Sequence, residues 1–213
     1  MDELEPDNVD KGLTVSAIAT SLIPWLGGPT SNILNGITQQ RKLKRVHEVL
    51  DKVNKDLKSL ENEINTKFAK SEDFEDLLEA TLQRTFTERN EKKRIRYANF
   101  LKAAVKAPSL DYEYHSQNLA LLENLQDVHV AALKAMIEPP KETLSSIGSP
   151  IRTLKGRLPE YDEASLKEAL SDLVAWRLVN NDGFDVTMTA SGAEDLSSRI
   201  TEKGNRLMKY LLD

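Results

Sequence analysis

The most regular hydrophobic pattern in the chain is a series of apolar residues spaced alternately three and four positions apart. Its members are Leu43, Val46, Leu50, Val53, Leu57, Leu60 and Ile64, and charged residues fill many of the positions between them. Such a heptad pattern is typical of a long helix that packs nearly parallel to a neighbour. With a cap near Ser31, the pattern predicts one helix over residues 31–68, which would be about 57 Å long at ~1.5 Å per residue.

The residues after this helix predict its packing partner. Ser71 is a favourable N-cap, and acidic residues at 72–76 place negative charge at the positive end of the helix dipole. The apolar stripe that follows contains Phe74, Leu77, Leu78, Leu82 and Phe86. This stripe predicts a second long helix, in an antiparallel hairpin with the first. It lapses near Arg89-Asn90 and resumes until Pro108, so the sequence leaves open whether the helix is kinked or continuous. With a further helix over 112–125, residues 11–126 predict an all-α bundle.

Residues 12–40 carry no charged side chain, although 30% of the residues in the chain are charged. Pro24 and the sequence Gly27-Gly28-Pro29 divide this uncharged stretch into two helices, each too short to span a bilayer. We therefore expect it to be buried in the core or in an oligomer interface, with contact at a membrane surface as the alternative. The apolar residues that would form the interface are Ile18, Leu22, Trp25, Leu26, Ile33 and Ile37.

From Asp127 onward the chain alternates short helical patterns with turn signals. Asp127 is a plausible cap for a helix that ends at Pro139-Pro140, and the composition of residues 143–150 predicts a loop. A short basic helix is predicted over 151–157, and a longer helix over 162–177.

The last part of the chain contains the only strand-like runs. Residues 178–179 and 185–189 flank Asn181-Asp182-Gly183, which is typical of a hairpin turn. A polar tip over 191–198 and a final helix over 201–212 complete the pattern. The predicted fold class is therefore mainly α: a long-helix antiparallel bundle, followed over residues 127–213 by a small α+β module.

This order of elements, ending in RITEKGNRLMKYLLD, resembles a winged-helix domain, in which a strand commonly runs into a Thr-x-x-Gly turn and a closing helix. The resemblance implies contact with either DNA or protein. The helix over 162–177 would be the recognition helix, and it carries four acidic residues against two basic ones. Because phosphate contacts need Lys or Arg, this balance disfavours DNA. The cations that remain candidates for binding nucleic acid or an acidic partner are Arg152, Lys155 and Arg157, together with Lys92, Lys93 and Arg94 in the densest basic run. For that run, a solvated face paired with Glu88 and Glu91 is the alternative.

More broadly, the segment Ile23–Arg45, with the sequence LIPWLGGPTSNILNGI, and the C-terminal module are similar to bacterial helical proteins of the abortive-infection alpha type. This similarity implies a role in defence against phage, through self-assembly or action at a membrane. It carries over no catalytic residue.

Charge and composition narrow the class of protein. The chain has 213 residues, 39% of them hydrophobic, which suffices for two domains with separate cores. The net charge of -5 arises in an acidic tail, residues 1–10, which we expect to be disordered. From Lys11 onward, acidic and basic residues balance at 29 each, which disfavours a protein that mainly grips nucleic acid. The absence of cysteine fits a reducing compartment, and the cytoplasm is the expected location.

Residue patterns typical of catalysis are missing from the sequence. HExxH, Walker, GxGxxG and GxSxG motifs do not occur, and His47, His115 and His129 lack a Glu three positions earlier. We expect these histidines to be ordinary helix-face or surface residues, and the acidic residues of 72–79 to be a solvated face. No cofactor or metal is predicted.

Three functions therefore remain. The favoured one is a non-enzymatic interaction protein that forms a dimer or binds a helical partner, with the winged-helix-like module used for protein contact. The second is a dimeric winged-helix transcriptional regulator. The third is a membrane-acting effector that uses residues 12–40.

Overall fold

The computed structural model describes residues 40–59, 64–106, 112–141, 146–181 and 183–212. They are mainly helical, as predicted, and the chain divides into two compact units, residues 1–123 and 124–213. The acidic tail and nearly all of the uncharged stretch, with Ile18, Leu22, Trp25, Leu26, Ile33 and Ile37, lie outside the described residues. Within the described part of the chain, no helix combines the length and apolar character that crossing a bilayer requires.

The first unit is built from helices α1 Gln40–Lys58, α2 Thr66–Ala69, α3 Glu72–Thr87, α4 Glu91–Lys106 and α5 Tyr112–Asn124. Helix α1 packs against both α3 and α4. The guanidinium of Arg45, near the start of α1, donates to the carbonyl of Phe86 at the end of α3, at 3.0 Å. Arg94, near the start of α4, pairs with Glu48 of α1 at 2.9 Å. Thus α3 runs opposite to α1, and α4 runs in the same direction as α1.

The heptad residues of α1 form its buried side. Leu43, Val46, Leu50, Val53 and Leu57 are each at most 5% exposed. The prediction of one helix reaching Phe68 is wrong, because α1 ends at Lys58 and Phe68 belongs to the separate helix α2.

Hydrogen bonds and ring packing explain this break. Asn65 caps α2 by accepting from the Phe68 amide at 3.2 Å, and its own amide donates to the carbonyl of Val105 at 2.8 Å. The redirected chain buries Phe68 completely, with its ring edge-on to Phe74 at 5.6 Å. A straight extension of α1 would not make these contacts.

The polar interruption near Arg89-Asn90 proves to be a break between two helices. Helix α3 ends at Thr87, and the extended backbone of Glu88 follows it. The Glu88 carboxylate then accepts from the amide of Asn90 at 2.8 Å, one residue before α4 begins. The chain therefore reverses direction here, and α4 can lie beside both α1 and α3.

The second unit contains α6 Asp127–Met136, β1 Ile147–Gly148, α7 Pro150–Arg157, α8 Glu163–Ala175, β2 Met188–Thr189, α9 Ala190–Glu194, a 3-10 turn at Ser197–Arg199 and α10 Glu202–Leu212. Helix α8 packs on α6 and α7, and α9 packs on α7 and both strands. Asp162 begins α8 as the sequence predicts, since its carboxylate accepts from the Ser165 amide at 2.7 Å.

The predicted hairpin between residues 178–179 and 185–189 is wrong. Strand β2 pairs antiparallel with β1, with Ile147 opposite Thr189 and Gly148 opposite Met188. Val179 instead forms a single bridge with Ile200. Gly183 does form a turn, with φ of 60°, but the Val186 side chain beyond it is 55% exposed. Residues 185–189 therefore bury little apolar surface that would favour their pairing with residues 178–179. Strand β1 also lies inside the predicted loop over 143–150.

The predicted polar tip over 191–198 is also incorrect. These residues form most of α9 and of the 3-10 turn, and Ala193 and Leu196 within them are buried, as are the flanking residues Ala190 and Arg199. Small residues allow α9 to approach β1 closely, because a Cβ placed at Gly148 would lie 3.0 Å from the Cβ of Ala193.

The Thr-x-x-Gly turn joins the last helix to the end of α8. The amide of Thr201 donates to the carbonyl of Leu178 at 3.0 Å, and the hydroxyl of Thr201 accepts from the amide of Gly204, also at 3.0 Å. A Cβ at Gly204 would lie only 2.2 Å from the oxygen of Leu178. Only glycine therefore fits at this position.

Candidate functional site

The basic residues of α7 differ sharply in exposure, although they are close in sequence. The side chain of Arg157 is 1% exposed, and one of its terminal nitrogens lies 2.9 Å from a carboxylate oxygen of Glu194. The other donates to the carbonyls of Ala135 and Glu138, at 2.7 and 2.9 Å. Arg157 therefore joins α6, α7 and α9 within the unit, and its charge is not available to a polyanion at the surface.

Glu194 is held as an anion by the same contacts. Burial alone would raise its pKa, but hydrogen bonds from Arg157, from the Lys141 amide and from the Thr153 hydroxyl outweigh burial and lower the pKa below its ordinary value. The ion pair of Arg157 and Glu194 is thus a structural element. The sequence offered no sign of this pair, since the two residues are 37 positions apart.

The other two predicted cations of this segment behave differently. Lys155 is half-buried and donates to the carbonyls of Pro159 and Tyr161, which fixes the connection between α7 and α8. Arg152 is exposed and, among the described residues, forms no ion pair. Of the three cations that the sequence singled out here, Arg152 is the one whose charge faces solvent.

In the first unit, the basic run over 92–94 is largely paired within the unit. Lys93 lies 3.4 Å from the carboxylate of Glu88 and is 18% exposed. Arg94 pairs with Glu48 and is 11% exposed. Lys92 is exposed. This arrangement resembles the alternative of a face paired with nearby acidic residues, since Lys93 does pair with Glu88. Arg94, however, pairs with Glu48 of α1 and not with an acidic residue close to it in sequence.

His129 lies in a cleft of ≈360 Å³ between the start of α6 and helix α8. Its Nδ1 accepts from the amide of Gln126 at 2.9 Å, so the ring proton is on Nε2, which donates to Asp172 at 3.2 Å. The side chain is buried, and Trp176 packs beside it at 5.1 Å between ring centroids. Both nitrogens are therefore occupied, and the imidazole has no free lone pair with which to act as a general base.

These contacts correct the predicted cap of α6 and, for His129, leave the helix-face alternative and not the surface one. Gln126 occupies the N-cap of α6 and Asp127 is the first helical residue, because the His129 ring satisfies the backbone amide at the cap. His129 is a buried capping residue and not a surface one. His115 is likewise fully buried, stacked on Phe68 at 5.5 Å.

The surface of α8 has an acidic character. Glu163 and Glu168 are exposed, and Asp172 is half-exposed. Lys167 bridges Glu163 and Asp185 at 2.9 Å each, and these hydrogen bonds raise the pKa of its ammonium. The helix therefore presents excess negative charge at the place where a DNA-reading helix needs positive charge.

Arg199, the single basic residue of 178–200, which the winged-helix resemblance implies as the wing, is internal. It is 7% exposed, donates to the carbonyl of Asp195 at 3.2 Å and lies 5.7 Å above the ring of Phe184. A cation held over an aromatic face is a stabilising contact within the unit. The wing residues that the structure describes thus offer no exposed Arg to a nucleic acid.

In the described ranges, no group of three or more His, Asp or Glu side chains is arranged to hold a metal ion. Comparisons with protein-family models, with curated proteins and with solved structures give no match to this chain. The functional argument therefore rests on the chain's own residues and their contacts.

Proposed function

We propose that the protein is a non-enzymatic interaction protein that self-associates through the uncharged stretch, residues 12–40, and uses its C-terminal unit for contact with another protein. The observation that carries this proposal is the placement of charge in that unit. Arg157 and Arg199 are buried in internal contacts, whereas α8 exposes Glu163 and Glu168.

The order of elements in the C-terminal unit supports a winged-helix-like reading. A helix, a short strand, two helices and a second strand follow one another, and the two strands pair antiparallel. The Thr201-x-x-Gly204 turn then leads into the closing helix α10. Folds of this kind serve both DNA and protein recognition, so the charge of the surface decides between these functions.

Charge favours protein over DNA for a quantitative reason. Each phosphate that a protein neutralises releases counterions and strengthens binding at low salt. Arg152 is exposed, but Arg157 and Lys155 are held by internal carbonyls. Of the three candidate cations of α7, Arg152 alone is exposed, and with the carboxylates of α8 nearby in sequence we expect weak and non-specific DNA binding at physiological salt.

Self-association is proposed because a long uncharged stretch needs to be covered. Exposed contiguous apolar surface is unusual on a monomer, and homodimers are the commonest assemblies. The phage-defence reading depends on residues 23–45, most of which lie outside the described residues, and it forms no part of this proposal.

Sedimentation velocity of the full chain at micromolar concentration tests self-association. We expect a dimer or larger assembly, and we expect Ile18→Ser and Leu22→Ser to shift the equilibrium toward monomer. Ile137→Ser is the matched control, because Ile137 is an exposed isoleucine in the other unit, 42% accessible. A strict monomer, or equal dissociation by all three substitutions, would refute the proposed interface.

A gel-shift titration with duplex DNA tests the rival regulator. We expect no complex at physiological salt and only weak binding at low salt. A tight, salt-sensitive complex that is lost on Arg152→Gln would establish nucleic-acid binding and overturn the assignment to protein contact.

A further inference from the structure

A second cleft in the C-terminal unit lies between α7, β1 and α9, with a volume of ≈370 Å³. Its walls include small residues, among them Gly148, Gly156 and Ala193. A Cβ added at Gly156 would meet no atom within 4 Å, so this wall opens into free space. The cleft is distinct from the one that contains His129.

Two donors along this cleft, of which only the Arg157 Nε is itself buried, lack acceptors among the described residues. Ser149 is 7% exposed, and its hydroxyl neither caps α7 nor bonds elsewhere in the described chain. The Nε of Arg157 is buried and has no hydrogen-bond acceptor there, although both terminal nitrogens are paired. The Ser149 hydroxyl is the accessible one of these two donors, so the cleft is suited to a group that supplies an acceptor oxygen.

The charge of the cleft points in the same direction. Arg152 and Lys141 line it and are exposed, whereas the charge of Glu194 is already neutralised by Arg157. The Glu194 oxygens also accept from Thr153 and from the Lys141 amide, so the carboxylate is well satisfied. Among the described residues of the lining, the net charge is therefore positive, and the unmet hydrogen-bonding groups are donors.

The rim of the cleft indicates which kind of anion fits. Ile147 lines it and is 65% exposed, an unusually large apolar surface for an isoleucine. An exposed apolar side chain beside cations suits a peptide, which carries both acidic and apolar side chains, better than it suits a phosphate backbone.

We propose that this cleft binds the carboxylate of an acidic peptide segment in a partner protein, with a neighbouring apolar side chain of that peptide resting on Ile147. Arg152 forms the charge-assisted hydrogen bonds to the carboxylate, and the Ser149 hydroxyl donates from the inner wall. This inference rests on the proposed function, because it names the chemistry of the partner that the C-terminal unit contacts.

Fluorescence anisotropy of the full chain with a labelled peptide of Glu, Leu and Ser tests the site. The matched probe has Gln in place of each Glu. We expect the acidic probe to bind and the Gln probe to bind at least tenfold more weakly, since a hydrogen bond to a charged group is worth about one order of magnitude in affinity.

Variants of the cleft test separately how charge, a hydrogen-bond donor and the shape of the wall contribute to peptide binding. Arg152→Gln is expected to weaken binding of the acidic probe about tenfold, and Ser149→Ala a few-fold. Gly156→Leu fills the open wall and is expected to abolish binding, whereas Gly156→Ala leaves it unchanged. Arg206→Gln removes an equivalent charge from α10, outside the cleft, and is expected to have no effect.

Equal binding of the two probes, or unchanged binding by Arg152→Gln and Gly156→Leu, would overturn the inference. So would displacement of the peptide by duplex DNA at a lower concentration than by the unlabelled peptide, because the site would then be one for nucleic acid. Sedimentation of the unsubstituted chain keeps the two proposals apart. Failure of this chain to bind the acidic probe while it self-associates refutes only the cleft, and binding of the probe by a strict monomer refutes only the assembly.

Discussion

Gly204 is the position at which a single added methyl group is expected to have the clearest effect on the C-terminal unit. An alanine Cβ there would lie 2.2 Å from the carbonyl oxygen of Leu178 and 2.8 Å from a methyl carbon of Ile200. The first distance is more than about 1 Å short of van der Waals contact. The oxygen belongs to the backbone, so no rotation of a side chain relieves the overlap.

Relief of the overlap requires α10 to move away from residues 177–178. That carbonyl accepts from the Thr201 amide, and the Thr201 hydroxyl donates to Arg177 at 2.8 Å, so the movement also strains these bonds. Overpacking of this kind typically costs ~1–3 kcal/mol, whereas the better helix propensity of alanine returns at most ~1 kcal/mol. We expect a net loss of about 2 kcal/mol in the free energy of unfolding.

Thermal and urea unfolding of the full chain, followed by circular dichroism and by tryptophan fluorescence, measures this loss. The C-terminal unit comprises residues 124–213, and for a domain of this size 2 kcal/mol lowers Tm by about 8–16 °C. Trp176 lies in this unit and reports its unfolding.

Gly156→Ala is the matched control, because its Cβ meets no atom within 4 Å. Its expected effect is a gain of ~0.5–1 kcal/mol from helix propensity alone. If Gly204→Ala unfolds at the wild-type temperature, the close contact between α10 and the end of α8 is not as described, and the physical account of the Thr-x-x-Gly turn fails.

Four further predictions concern charge and backbone conformation. Arg157→Met leaves the Glu194 carboxylate without its buried partner and is expected to destabilise the C-terminal unit by about 3–5 kcal/mol in urea unfolding. Because the folded-state pKa of Glu194 is lowered, its contribution to the free energy of unfolding is complete above the ordinary pKa near 4.5 and is lost as the pH falls. Glu194→Gln should therefore make the free energy of unfolding less dependent on pH in the acid range. In the first unit, burial and the nearby carboxylates raise the pKa of Tyr97 to about 12. The unfolded state therefore ionises first as the pH rises above 10, and the free energy of unfolding falls by up to ~3 kcal/mol between pH 10 and 12. Tyr97→Phe should remove this loss, and an identical alkaline profile for the two proteins would contradict the prediction. Arg177 has a φ of 58°, a backbone conformation that is strained for any residue with a Cβ. Arg177→Gly is therefore expected to raise the free energy of unfolding by about 0.5–1 kcal/mol. A lower free energy of unfolding would show that the Arg177 side chain stabilises the unit by more than the backbone strain costs.

Local patterns along the chain were sufficient to predict the class of fold and many of the buried residues. Leu43, Val46 and Leu50 are buried because residues three and four apart lie on the same side of any α-helix, whatever else the helix contacts. Ser71 and Asp162 begin helices because a side-chain oxygen can satisfy the free amides of the first turn without help from distant residues.

Contacts between distant residues decided the rest. Asn65, at the start of α2, bonds to Val105, and β2 pairs with β1 although about 40 residues separate them in the chain. Neither event leaves a periodic trace in the sequence.

The candidate site shows the same division. Net charge and the acidic composition of α8 could be read from the sequence, and they disfavour nucleic acid in the structure as well. The sequence could not show that Arg152 is exposed and Arg157 is paired, because both are basic residues of one short helix. Whether a cation contacts Glu194 or solvent depends on which element packs against its side of that helix. Ser149 and Glu194 gave no signal at all, since a hydroxyl and a carboxylate acquire these environments only when α7, β1 and α9 come together.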